Sequence, residues 1–326
     1  MATQRPNEFS TVLLSLYRAA SEQSLMAFQD EALKIIKSVL PFDSSMWGTA
    51  THTDVGIDIH SIHLHNSSQD MLDFYEEVKH QDAAAAACTR SPQATLAFHS
   101  PTMFAGRAHS GMRALCERFG HANMLISSDL RPETRFVQWI SLYRADPDAH
   151  CGERERAFLE LLAPHVMQSL AINRLTHLDR LSSSRHGADK GLAIADARGV
   201  LYHAGEDFEY LLRSEWSGWD GRALPAPLRD HFSRGLTPFR GKALVARCSL
   251  DKGLLFLRVR ARRPVDNLTE REYAIAKLLA QGATHKHVAR ALNRSPATVR
   301  NQIQTIYEKL GINNVVALVG ELSFDR

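Results

Sequence analysis

The 326-residue chain has no run of 18 apolar residues, so no membrane-spanning helix is expected. Its opening, MATQRPNEFS, lacks the basic-then-apolar pattern of a secretory signal, which points to the cytoplasm. Cysteine is scarce: Cys88, Cys116, Cys151 and Cys248 lie far apart and form no C-x-x-C pair. That argues against a disulfide framework and a zinc knuckle, and suits a reducing compartment. Charge of one sign is also lacking, since the net value is only +3, too small to imply nucleic acid by itself. Catalytic signatures are missing too. There is no H-E-x-x-H or G-x-S-x-G, and Gly235–Lys242 fails as a phosphate loop because its glycines are spaced too widely and Ala243 replaces the magnesium-binding hydroxyl. No enzyme activity, cofactor or metal is therefore expected. His60, His63 and His65 form the best histidine cluster, with no cysteine beside it and Asp58 on the other side of the strand from His63.

What is present, 44% apolar and 23% charged residues, describes a soluble globular protein, and the length implies two or three domains. The first 40 residues carry helical stripes: Phe9, Val12, Leu13, Leu16, Tyr17 and Ala20, then Leu25, Phe28, Ala32, Ile36 and Leu40. Strands are expected at Ser44–Ala50 and Ile57–Leu64, and helices at Ser68–His80 and Ser110–Phe119. Residues 82–99 have little pattern. Strands at Ala122–Ser127 and Phe136–Arg144 precede a long helix, Glu153–Leu181, whose apolar side includes Leu161, Leu162, Val166 and Leu170. That side is a candidate to meet the same helix in a second subunit and relay a signal. The polar stretch Ser182–Gly187 reads as a linker. Beyond it, Leu192–Ala195 and Val200–Tyr202 flank an Asp196–Gly199 hairpin turn, a helix follows at Glu206–Arg213, and strands at Ala243–Cys248 and Gly253–Val259 close the segment. Phe208, Tyr210, Trp216 and Trp219 are either cavity-lining residues or the core of a small domain. Basic residues crowd Arg234–Arg263, where Asp251 is the acid; this is either a solvated surface or a segment near a polyanion. The element order makes residues 1–181 similar to GAF-like input domains and residues 188–263 similar to a small PAS-like domain. Both are α+β sensory folds.

The last 60 residues are the most strongly marked. Thr269 precedes Glu270, Arg271 and Glu272, as an N-cap followed by acids at a positive helix end does. Tyr273, Ile275, Ala276, Leu278 and Leu279 form its buried stripe, and Gly282 ends it. Thr284 caps a second helix with Val288, Ala289 and Leu292 inward, and Asn293-Arg294 make the turn. Ser295-Pro296 opens a third helix that buries Val299, Ile303, Ile306 and Leu310 and stops at Gly311. A fourth runs from about Asn313 to Leu322. Two short helices joined by a tight turn have helix-turn-helix geometry, and the outward Thr298, Arg300, Asn301, Gln304, Thr305 and Glu308 include residue types that read base edges.

Leu268–Glu272, Gln281-Gly282, Val288-Ala289, Ser295-Pro296, Thr298–Arg300 and Tyr307–Gly311 together closely resemble the DNA-binding domain of the LuxR family of regulators. The resemblance spans about 55 residues and makes 264–326 an all-α four-helix domain at the end of a multidomain chain. It implies that Arg300, Asn301 and Gln304 face base edges, while Lys286, His287, Thr298 and Lys309 lie near phosphates. Glu272 would stabilise the domain by pairing with a base or capping backbone donors. Val315, Val316 and Val319 would form a homodimer face, unless the domain needs them for its own core. Gln302 and Thr305 depart from the family's usual His and Asn, which alters the expected phosphate positioning. The implied partners are double-stranded DNA and a second copy of the chain, with room for a small-molecule effector and RNA polymerase. The input region lacks a receiver's acidic strand end and the W-x-x-x-Y-x-x-x-D arrangement of acyl-homoserine-lactone pockets, since no tyrosine follows Trp47 at four residues. The alternative function is a regulator whose helix-turn-helix binds a protein partner.

Overall fold

The computed structural model describes residues 5–53, 56–180 and 191–323, in two units, Met1–Arg180 and Leu181–Arg326. The proposed linker Ser182–Gly187 lies outside the described residues. No helix among the described residues is long and apolar enough to cross a membrane.

The first unit begins with α1 (Arg5–Glu22) and α2 (Phe28–Lys37), then the hairpin β1 (Ser44–Thr53) and β2 (Gly56–His65). Next come α3 (Gln69–Val78), α4 (Ala83–Arg90), β3 (Thr95–His99), the single turn α5 (Ser100–Met103) and α6 (Ser110–Phe119). The strands β4 (Asn123–Arg131) and β5 (Phe136–Arg144) and the long α7 (Glu153–Arg180) complete it. The five strands form an antiparallel sheet in the order β2-β1-β5-β4-β3. Strand alternation sends Trp47, Leu125, Ile140 and Leu142 to one face, where they pack with Phe28, Leu33, Leu162 and Val166 of α2 and α7. Met124 and Tyr143 point the other way, to Val78, Phe104, Leu115 and Cys116.

The alternation expected along β2 is broken. Thr49 pairs with Ser61 but Ala50 pairs with Ile59, so His60 is an extra residue in a bulge. His60 bonds Thr51 at 2.7 Å and stacks on Phe136, while His63 and His65 bond Asp30 at 3.0 and 3.4 Å. His60 therefore stands apart from His63 and His65, which share Asp30, and no metal-holding group of three or more His, Cys, Asp or Glu occurs among the described residues.

The long helix does not keep its apolar side free. Leu162, Val166 and Leu170 are buried in the core of their own unit, and Leu161 is the exposed one. The reason is α1, which lies along α7: Phe9 meets Phe158 edge-on, the Tyr17 hydroxyl and His165 Nδ1 are 2.9 Å apart, and Asn173 donates to the Ala20 and Gln23 carbonyls at 3.0 Å. The expected pairing of α7 through that side with a second subunit is thus corrected: α1 already covers it.

In the second unit, β6 (Gly191–Asp196) and β7 (Leu201–Ala204) are joined by the Asp196–Gly199 turn. Asp196 accepts from the Arg198 and Val200 amides at 3.0 and 2.8 Å, and Gly199 sits at φ +89°. Then follow α8 (Glu206–Glu215), α9 (Ala226–Ser233), the two-residue β8 (Phe239–Arg240), β9 (Leu244–Asp251) and β10 (Leu254–Ala261). Their antiparallel order is β7-β6-β10-β9-β8. Phe208 is buried and meets Trp219 edge-on, and both tryptophans pack on this core. Tyr210 is 71% exposed, which corrects its place in a cavity: two positions from Phe208 on a helix is the opposite face. The Gly235–Lys242 stretch carries an acid where a phosphate loop would hold its ligand. Glu215 accepts from the Lys242 and Ala243 amides at 2.8 and 2.5 Å.

A turn over Pro264–Asn267 leads into four helices, α10 (Glu270–Ala280), α11 (His285–Ala291), α12 (Pro296–Leu310) and α13 (Val315–Ser323).

Candidate nucleic-acid interface

Each of the first three C-terminal helices starts on a hydroxyl cap. Thr269 accepts from the Glu272 amide while Glu272 accepts from the Thr269 amide, a reciprocal capping box. Thr284 accepts from the His287 amide and Ser295 from the Thr298 amide, with Pro296 at the first helical position. Gly282 at φ +88° and Gly311 at φ +66° supply the left-handed residues that end α10 and α12. Asn293 takes φ +52° in the turn between α11 and α12, a conformation asparagine tolerates. These stops fix the lengths of the helices, and one core fixes their crossing: Ile275, Ala276 and Leu279 meet Val288, Ala289, Val299, Ile306, Leu310 and Leu318. Ile303 is half-buried at its edge.

With Val299 and Ile306 turned inward, the opposite side of α12 presents Arg300, Asn301, Gln304 and Thr305 to solvent. Arg300 has no hydrogen bond or ion pair among the described residues, so its guanidinium fork is available. Gln304 donates to Glu308 at 3.0 Å, and Thr305 donates to the Asn301 carbonyl at 3.1 Å. Lys286 and His287 are exposed at the start of α11. Thr298 is exposed, its hydroxyl 2.8 Å from Ser295 Oγ in the cap. Gln302 is half-buried.

Lys309, expected near the phosphates, has an ion-pair partner within the domain. Its ammonium donates to both Glu272 oxygens at 2.8 Å, tying α12 to the capped end of α10. Both roles foreseen for Glu272 are thus filled at once. The Lys309 bond, helped by the Thr269 amide, holds the Glu272 carboxyl below the usual carboxylate range. The pair's contribution is present above the ordinary glutamate range and is lost as pH falls through the lowered value. Lys309 is 36% exposed, so solvent screens the pair, and Lys309→Met should lower unfolding free energy by about 0.5–1 kcal/mol. Denaturant titration at pH 7 and pH 3 checks this: the difference between native and variant should be smaller at the lower pH.

Three of the basic residues before this domain are also committed. Arg260 grips Asp266 at 2.6 and 2.7 Å, Arg262 donates to Gly241 O and to Asn267 at 2.5 and 2.7 Å, and Arg263 reaches Glu321 on α13. Of the two readings of the Arg234–Arg263 run, these three side chains favour neither free surface nor polyanion contact. They bind the sheet to the helices.

Residues 266–321 match the family model described as bacterial regulatory proteins, luxR family. A relative from Haemophilus influenzae, a nitrate/nitrite response regulator protein homolog, is 35% identical over 159 residues, which is 47% of this chain and 70% of the relative. The chain belongs to the luxR family of bacterial regulatory proteins. Among solved structures, Escherichia coli SdiA overlaps 97% of this luxR-family chain and 97% of its own at 12% identity and a TM-score of 0.36. CepR2 of Burkholderia cenocepacia, an N-acylhomoserine lactone dependent LuxR family factor, overlaps 52% of this chain and 98% of its own, with 13% identity and a TM-score of 0.40. In this luxR-family domain the helix that carries Arg300 is the one opened by Ser295-Pro296.

Proposed function

We propose that this luxR-family regulator binds double-stranded DNA sequence-specifically, as a homodimer in the cytoplasm, and that the region before its helix-turn-helix receives a signal. The observation that carries the reading is α12: a 15-residue helix set on α11 by a shared core, with Arg300, Asn301 and Gln304 outward and Arg300 uncommitted. A helix of that length fits a major groove, where arginine forks onto guanine and asparagine or glutamine onto adenine. Lys286, His287 and Thr298 are assigned to the phosphate backbone, and Lys309 to holding α12 on α10. Residues 1–181 are read as a GAF-like domain, 188–263 as a PAS-like domain and 264–326 as the DNA-binding domain. Two five-stranded antiparallel sheets of the same strand order, each with two α-helices between its second and third strands, support that pair of sensory folds.

The test is a binding comparison on a selected operator and a random duplex. Arg300→Ala should reduce discrimination between them by about 1–3 kcal/mol, the worth of one bidentate contact. Lys286→Ala should weaken both duplexes alike and lower the salt slope by about one. Equal loss on both duplexes after Arg300→Ala would remove Arg300 from base reading. A native protein that binds neither duplex would favour a protein partner for this domain.

A further inference from the structure

The outward side of α12 carries Arg300, Gln304 and Glu308 in one row, each a helical turn beyond the last, and all are exposed. Arg300 and Gln304 have base-reading chemistry. Glu308 is out of place on general grounds. It stands in the last turn of α12, where the helix end is negative and favours cations. It also lies on the side of the helix assigned to DNA, where an anion meets phosphates. The neighbouring Lys309 does not offset it, because that ammonium is spent on both Glu272 oxygens at 2.8 Å.

The partner of Glu308 is Gln304, whose Nε2 donates to the Glu308 Oε1 at 3.0 Å. The last torsion of a glutamine is broad and two-fold, so an unpartnered amide presents either end. Beside a carboxylate it does not. A carboxylate only accepts, so the amide nitrogen faces Glu308 and the carbonyl faces away. With one N–H spent, the carbonyl and one N–H remain for a ligand. That acceptor-and-donor edge matches the N6 donor and N7 acceptor of adenine. Guanine shows two acceptors in the same groove, N7 and O6, and sets one of them against the carbonyl. An amide free to turn can offer its NH2 to guanine instead. Docking on a duplex removes water from the pair, which strengthens the bond and makes an unpaired Glu308 more costly.

We propose that Glu308 is a positioning residue for specificity: it holds the Gln304 amide so that the operator base facing it is read as adenine and guanine is rejected. This role rests on α12 being the helix that faces DNA. A hydrogen bond that merely supported the helix would leave base preference unchanged when removed.

The experiment is selection of duplexes from a randomised library by the full chain and its variants, scored base by base. The position whose preference disappears in Gln304→Ala is the one that Gln304 reads, and there the native protein should favour adenine over guanine by about tenfold. Glu308→Ala retains a strong helix former at an exposed site, so cooperative melting is kept. It should cut that preference to about twofold or less, leave the base read by Arg300 unchanged and tighten binding to every duplex. Glu308→Asp should keep the preference, because glutamine and aspartate four residues apart on a helix still meet. In a Gln304→Ala background, Glu308→Ala should move no base preference at all. An adenine preference untouched by Glu308→Ala, or lost equally in Glu308→Asp, overturns the role of Glu308 and leaves DNA binding by α12 standing. So does a native preference for guanine at that position, or an effect of Glu308→Ala that persists without Gln304. A native chain that enriches no sequence overturns the DNA-facing role of α12, and the role of Glu308 with it.

Discussion

Asp266→Ala is expected to lower the opening free energy of β10 and α10 by about 3–5 kcal/mol, read as lost hydrogen-exchange protection of their amides. Arg260 and Asp266 are 6% and 7% exposed, so alanine leaves a guanidinium buried without its bidentate partner. The local consequence spreads because of where the pair sits. Arg260 is on the last strand of the second sheet, and Asp266 is in the turn that also supplies Val265 and Leu268 to the helical core. The Arg263 amide donates to the same carboxylate at 2.8 Å. Removing both charges separates pairing from packing: Arg260→Met with Asp266→Leu should recover most of the loss, since a well-filled apolar pair is often neutral against a buried ion pair. A double variant as unstable as Asp266→Ala would show that shape, rather than the unpaired charge, is what matters.

The same pair sets an acid limit. Burial alone would raise the Asp266 carboxyl, but the Arg260 side chain and the Arg263 amide outweigh it and hold the group below its ordinary value. A depressed carboxylate stabilises fully above its unfolded pKa, about 3.9, and the contribution disappears as pH falls through the lower folded value. Protection of α10 should therefore decline below about pH 4, and Asp266→Asn should flatten that part of the profile.

The C-terminal helices were legible because each rests on local punctuation. Thr269, Thr284 and Ser295 are caps, Pro296 is a first-position proline, and Gly282 and Gly311 are left-handed stops; each acts within three or four residues of its own position. The pair between Glu272 and Lys309 had no such signal, since 37 positions separate them and only the crossing of α10 with α12 joins them. The alanine run of α4 hid itself by having no polar face to contrast with, although Asp82 immediately before it is a cap of the same kind as the others. β8 is two residues long and carries no period. The face of the first sheet that carries Met124 and Tyr143 is the extreme case. His121 and Tyr143 stack because β5 lies beside the chain entering β4, and Asp82 and Tyr75 arrive from helices elsewhere in the sequence. No spacing along the chain encodes that convergence.

Val316→Asp is expected to convert the DNA-binding unit from a paired to a single-site binder. On α13 the buried residue is Leu318, while Val315, Val316 and Val319 are 41%, 81% and 39% exposed. Of the two uses open to these valines, a core role fits Val316 least, because four-fifths of it already meets water. An aspartate there removes no core contact, so monomer stability should stay within about 0.5 kcal/mol of the native value. Buried between two copies of α13, however, it would place two like charges against apolar surface. If two half-sites are held by linked domains, the second contact is effectively intramolecular, and losing it lowers operator affinity by about 10²–10⁴-fold with no change at any base contact. Sedimentation of the full chain together with titration of one-half-site and two-half-site duplexes reads this directly. The variant should bind both duplexes with the affinity that the native protein has for one half-site. Unchanged affinity for the two-half-site duplex would place the pairing surface somewhere other than α13.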